Sequence, residues 1–159
     1  MRAIGLTILM LAAASQALAA PDGDWSTYGH DKGGQRHSPL TQITPANVAH
    51  LQPAWVYHLR PASAPGAAPA QARYLASQMT PLVVGGRMFI TSPYGRIVAL
   101  DPTTGKELWS TALGDNSAPS YRGVEYWPGD RRTPPRLLFG TGDGRLIALD
   151  AATGAFVEG

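Results

Sequence analysis

The chain has 159 residues, 44% of them hydrophobic, with 13 Lys plus Arg against 11 Asp plus Glu and a formal net charge of +2. With no dense basic run, that balance gives no electrostatic footprint for nucleic acid. The absence of Cys excludes disulfides and a lipid-bearing cysteine.

Residues 1–19 read as a signal peptide. Arg2 supplies a short positive region, Ile4 to Ala14 is almost wholly apolar, and Ala17-Leu18-Ala19 places small residues where a signal peptidase cuts, before Ala20. The apolar run is too short for a transmembrane span. The expectation is an exported protein, periplasmic in a Gram-negative host. The remainder, 20–159, is long enough for a domain with a real core.

The stretch from Ala20 to Gly34 is polar and Gly-rich, with Trp25 and Tyr28 as isolated anchors. His30 and His37 lack a paired Cys or carboxylate at ligand spacing, so no metal site is read here. Thr44-Pro45-Ala46-Asn47 reads as a helix start, with Thr44 capping and Pro45 in the first turn, where its missing N–H is harmless. Leu51 to Leu59 contains Ala54-Trp55-Val56-Tyr57, a strand pattern that matches Leu108-Trp109-Ser110-Thr111 further on. Trp55 is therefore expected on the outer strand of a repeat unit. Ala62 to Ala72 is rich in Ala and Pro and can bury little, which reads as a flexible excursion.

A first complete unit follows. Pro81 to Val84, the pair Gly85-Gly86, and Arg87 to Thr91 form a hairpin with a two-residue turn that accepts positive φ at both positions. Ile97 to Leu100 and Glu107 to Thr111 add two more strands in meander order. Between them, Asp101 and Pro102 open a turn that Gly105 closes. A second unit runs from Val124 to Trp127, passes a Pro- and Arg-rich loop from Pro128 to Pro135, and continues through Leu137 to Phe139, Leu146 to Leu149 and Phe156-Val157.

The two units are copies. Gly95 to Gly105 returns as Gly144 to Gly154 after 49 residues, with seven of eleven positions identical. A period of about 40 to 50 residues with four short antiparallel strands per unit describes blades of a β-propeller. Two blades leave long edges unpaired, so the chain is expected to be the N-terminal part of a larger ring. Asp101 and Asp150 are turn residues in this reading.

The ordered set resembles the N-terminal region of the pyrroloquinoline-quinone (PQQ)-dependent dehydrogenases, most closely the glucose dehydrogenase branch. It comprises Asp24-Trp25, Gly33-Gly34-Gln35-Arg36-His37-Ser38-Pro39-Leu40, Ala54-Trp55, Thr80 to Val84, Val98 to Trp109, Arg122-Gly123-Val124-Glu125-Tyr126-Trp127 and Asp143 to Asp150. The resemblance implies an all-β, eight-bladed propeller, here the N-terminal strand and about two four-stranded blades, with residues 20–159 as one propeller segment. In that family the first tryptophan-bearing strand belongs to the last blade and closes the ring.

The resemblance further implies oxidation of a sugar or alcohol, with hydride passing to PQQ beside a calcium ion and electrons leaving for a quinone or cytochrome. It places Arg122 at the arginine that contacts the quinone oxygens. Gln78 falls where many members carry a glutamate at the quinone edge; Gln can still hydrogen-bond without charge, and the exchange is equally open to a member that has lost the cofactor. The calcium ligands and the proton-abstracting aspartate are expected beyond Gly159, so no catalytic residue and no metal ligand is assigned here, and the chain alone is expected to be inactive. The adjacent Cys pair of the alcohol and methanol branches has Ser120-Tyr121 in its place, and the membrane helices of the membrane-bound glucose enzymes have no counterpart. The second reading is a cofactor-free propeller that serves binding or assembly in the cell envelope.

Overall fold

The computed structural model describes residues 23–61, 75–114 and 117–158. The expected leader at 1–19 lies outside the described residues, as does the whole Ala/Pro-rich stretch from Ala62 to Ala72. Among the described residues, seven strands form two antiparallel sheets. The first sheet has the order β1 (Leu82–Val84), β2 (Arg87–Ser92), β3 (Arg96–Leu100) and β4 (Glu107–Ala112); the second has β5 (Glu125–Trp127), β6 (Arg136–Gly140) and β7 (Leu146–Asp150). Phe156 makes a single bridge to Leu149 at the free edge of β7.

The β1–β2 turn has the geometry its residues dictate, with φ of +55° at Gly85 and +74° at Gly86, a backbone that only glycine adopts at little cost. In β3, Ile97, Val98, Ala99 and Leu100 are all at most 1% exposed. A strand normally alternates inside and outside; this one is sandwiched. Ile97 and Ala99 pack with Leu82, Phe89, Leu137, Phe139 and Leu149 between the sheets, whereas Val98 and Leu100 pack with Ile90, Trp55, Tyr57 and Leu59 on the opposite face. Between the sheets Phe89 lies 6.1 Å from the Trp109 ring and 6.3 Å from the Tyr126 ring, centroid to centroid.

The repeated turns share their backbone hydrogen bonds, while the hydroxyl on the aspartate comes from the second residue after Asp101 and from the third after Asp150. The Asp101 Oδ1 accepts from the backbone N–H of Thr103 (2.8 Å) and Thr104 (3.0 Å) and from the Thr103 hydroxyl. The Asp150 Oδ1 likewise accepts from the N–H of Ala152 (2.9 Å) and Thr153 (2.8 Å) and from the Thr153 hydroxyl. Each turn receives an indole from the preceding unit. Trp55 Nε1 donates to the Pro102 carbonyl at 3.0 Å, and Trp109 Nε1 donates to the equivalent Ala151 carbonyl at 3.3 Å. The rings lie so close over Gly105 and Gly154 that a Cβ at either would fall 2.5 Å from the indole. Trp55 thus stands to the first turn as Trp109 stands to the second, the relation expected of an outer strand from a preceding blade.

Three sequence expectations are corrected. Leu51 to Leu59 has no ladder partner among the described residues and is not a strand there; its side chains pack on the first sheet instead. The helix expected after Thr44 is a single 3-10 turn, Val48–His50. Thr44 does not cap it with its hydroxyl: its carbonyl accepts from Asn47 and Val48, and its N–H donates to the Asn47 side chain at 2.7 Å. In β4, a bulge between the pairs Ala99–Trp109 and Leu100–Glu107 leaves Leu108 half-exposed and turns Trp109 toward the second sheet.

Candidate cofactor-binding site

Both expected site residues lie where the chain enters the first strand of a sheet. Before β5, Pro119 bridges Thr141, and the Ser120 N–H donates to the Gly140 carbonyl at 2.9 Å. The chain then reverses: the Gly123 N–H reaches the Ser120 carbonyl at 3.2 Å, and the Arg122 N–H reaches the Ser120 hydroxyl at 3.3 Å. This tight turn pushes Tyr121 and Arg122 outward while Val124 returns to the core at 6% exposure. Tyr121 is 65% exposed.

Gly123 is the hinge of the site. Its φ is +102°, and a Cβ there would sit 3.2 Å from the Thr80 carbonyl oxygen and 3.9 Å from Met79 Cβ. The turn that carries Arg122 is therefore pressed against the backbone just after Gln78. Two residues far apart in sequence, each expected to touch the same ligand, are flanking positions of one backbone contact. No hydrogen bond joins their side chains, and Gln78 is exposed.

Arg122 opens on a cleft of about 430 Å³ lined by Tyr28, Ser120, Val124, Glu125, Leu138 and Phe139. Among the described residues its guanidinium has no ion-pair partner, whereas Arg145 pairs with Asp143 at 2.9 Å and Arg96 approaches Glu107 at 3.9 Å. An exposed cation beside a cleft, with no ion-pair partner among the described residues, is suited to an anionic, planar, oxygen-rich ligand. No group of three or more His, Asp or Glu among the described residues could hold a metal ion.

Two arrangements escaped the sequence reading. Behind the first sheet, Tyr57 donates to Glu107 at 2.5 Å while Arg96 donates to the Tyr57 hydroxyl, to the Leu59 carbonyl and to Ser110. Burial first, and then the Glu107 hydrogen bond, push the Tyr57 phenol above its ordinary pKa. The only available signal was the Gly-Arg pair retained in both copies. Near the N-terminus, Trp25 pairs with Val83 along the free edge of β1 and meets His30 edge-on at 4.8 Å. The His30 Nδ1 and Trp25 Nε1 are buried without partners.

Two stacked meander sheets clasped in series by indoles, with an arginine that has no ion-pair partner among the described residues just before the second sheet, define a segment of a β-propeller. The chain belongs to the PQQ-dependent glucose/ethanol/alcohol dehydrogenase family, whose β-propeller domain matches residues 25–159. It is 39% identical over 157 residues to the glycerol dehydrogenase large subunit of Gluconobacter oxydans, covering 92% of this chain and 21% of that one. It is 34% identical to the quinoprotein glucose dehydrogenase of Escherichia coli, covering 86% of this chain and 18% of the relative. Among solved structures, the quinohemoprotein alcohol dehydrogenase from Comamonas testosteroni matches with a TM-score of 0.68 at 34% identity, over 89% of this chain and 20% of that one. The chain spans about one fifth of the length of the curated relatives it matches.

The residues present fit PQQ. The Arg122 guanidinium, without an ion-pair partner among the described residues, offers paired donors to carboxylate or quinone oxygens, and the missing Cβ of Gly123 lets its turn close on Met79 and Thr80.

Proposed function

We propose that this chain forms the first blades of an exported quinoprotein dehydrogenase that oxidises a sugar or alcohol and passes the electrons to a quinone or cytochrome. The observation that carries this reading is the convergence of Arg122 with the Gln78–Thr80 segment through Gly123. Bound here, PQQ would supply a two-electron acceptor for the hydrogen on the substrate's hydroxyl-bearing carbon. Arg122 would hold the oxygens on which negative charge grows, with donors in place before the charge develops. Gln78 would orient the same edge through its amide, without the repulsion a carboxylate would bring. The residues that abstract the proton and hold calcium belong, in this reading, to later blades. The leader at 1–19 would direct the product to the periplasm.

The full-length protein tests this. Purified from a periplasmic fraction with Ala20 at its N-terminus, and supplied with PQQ and calcium, it should oxidise sugars or alcohols with an artificial dye as acceptor. The neutral Gln78 favours the second reading, a cofactor-free envelope propeller; failure of the protein to take up PQQ would establish it in place of the first.

A further inference from the structure

Gln78 lies on a segment that is tied down at two points. One is the contact of Thr80 with Gly123 already described. The other is Tyr94, in the turn between β2 and β3. The Leu75 N–H donates to the Tyr94 hydroxyl at 3.3 Å, and so does the Arg60 guanidinium, also at 3.3 Å, with the guanidinium carbon 5.3 Å from the Tyr94 ring centroid. One phenol oxygen therefore holds a residue on each side of the interval 62–74. The donation by Arg60 first, and then that by Leu75, lowers the Tyr94 pKa.

The turn that carries this phenol is itself rigid. The fully buried Ser92 hydroxyl donates to the Leu59 carbonyl at 2.8 Å and accepts from the Tyr94 N–H at 3.2 Å. Gly95, at φ +74°, returns its N–H to Ser92 and sits so close to the Ser117 carbonyl that a Cβ would lie 2.8 Å from it. From Leu75 the chain passes Ala76 and Ser77, which face Ser92, Pro119 and Tyr121 across a small crevice, and reaches Gln78 three residues after the tie.

We infer that Tyr94 is a positioning residue for the cofactor site: its hydroxyl fixes the Leu75 backbone and so sets where Gln78 meets the quinone edge. This rests on the reading of Gln78 as a cofactor contact. A residue that only supported the fold would weaken binding whether or not Gln78 were present. A residue that acts through Gln78 loses its effect once that side chain is removed.

The test uses the full-length protein, titrated with PQQ in the presence of calcium, as wild type, Tyr94→Phe, Gln78→Ala and the double variant. Phe keeps the ring under Arg60 and removes only the acceptor. In the cofactor-free protein, hydrogen exchange at the Leu75 amide should be about fivefold to tenfold faster in Tyr94→Phe, the loss of one ordinary hydrogen bond. The PQQ dissociation constant should rise by about the same factor, and the substitution should change it less than about twofold in the Gln78→Ala background. An unchanged dissociation constant in Tyr94→Phe, or an equal penalty in both backgrounds, overturns the positioning role and leaves the proposed function standing. Failure of the wild type to bind PQQ overturns both.

Discussion

Asp101 and Asp150 hold their turns by the same means, a carboxylate collecting two backbone N–H groups and one hydroxyl. At Asp101 the Thr103 hydroxyl bond, then the backbone bonds, hold the pKa below the usual carboxylate value. At Asp150 burial pushes upward, but Thr153 and the backbone outweigh it and the net shift is downward. A depressed folded-state pKa contributes stability that is present above the unfolded value of about 3.9 and lost as pH falls through the folded value. Asp101→Asn should therefore lower the melting temperature at neutral pH, and its gap from wild type should close as the pH falls below the unfolded-state value of about 3.9. Arg122 makes the opposite prediction. With no ion-pair partner among the described residues, Arg122→Ala should leave the melting temperature within about 2 °C while reducing the proposed dehydrogenase turnover of the full-length protein by about 10²-fold or more; an unchanged rate removes Arg122 from the proposed site. Arg122 and Gln78 were nominated only through the family resemblance of their flanking motifs. Nothing in either residue type revealed that Gly123 would bring their segments into contact, because the contact is made by backbone against backbone.

Among the elements, hairpins and turns were the most legible, since Gly85-Gly86 and Asp-x-x-x-Gly encode their geometry locally. The strand at Leu51 to Leu59 was misread for a physical reason: a strand is defined by its partner, and a local pattern cannot say whether the partner is adjacent in the chain. Its Trp55 was nonetheless read correctly, because the repeat carried the information. The indole-over-glycine clasp predicts a contrast between two glycines of similar φ. Gly86→Ala, at φ +74° with nothing within 4 Å, should cost only the backbone strain, about 1–2 kcal/mol. Gly105→Ala, at φ +69°, must also displace the Trp55 ring and should cost about 2–4 kcal/mol. Denaturant unfolding of the two variants separates them; equal losses would mean that the indole contributes nothing at this joint.

Across the whole molecule, stability resides in the layer between the sheets. Phe89, 2% exposed, touches the Trp109 and Tyr126 rings and belongs to a cluster that also contains Leu137 and Leu149. Phe89→Ala should cost about 3–5 kcal/mol, and both sheets should lose their near-ultraviolet signals in one transition because they share that core. Two separate transitions would show that the sheets are independent units. The opposite face of the second sheet leaves Leu146 79% exposed, and Val56 beside the first sheet is 74% exposed. The sequence by itself determined the strands of the two sheets, Leu51 to Leu59 and Phe156-Val157 excepted, with their meander order, the paired turns and the 49-residue repeat, because each is written in local apolar periodicity and in residues that favour one backbone geometry. Only the tertiary structure decided that all of Ile97 to Leu100 are buried, that Trp55 and Trp109 each close over a glycine of another unit, that the Arg122 turn meets Met79 and Thr80 through Gly123, and that the Tyr94 hydroxyl ties Leu75. Those facts depend on which faces meet, and contacts between residues distant in sequence leave no period in the chain.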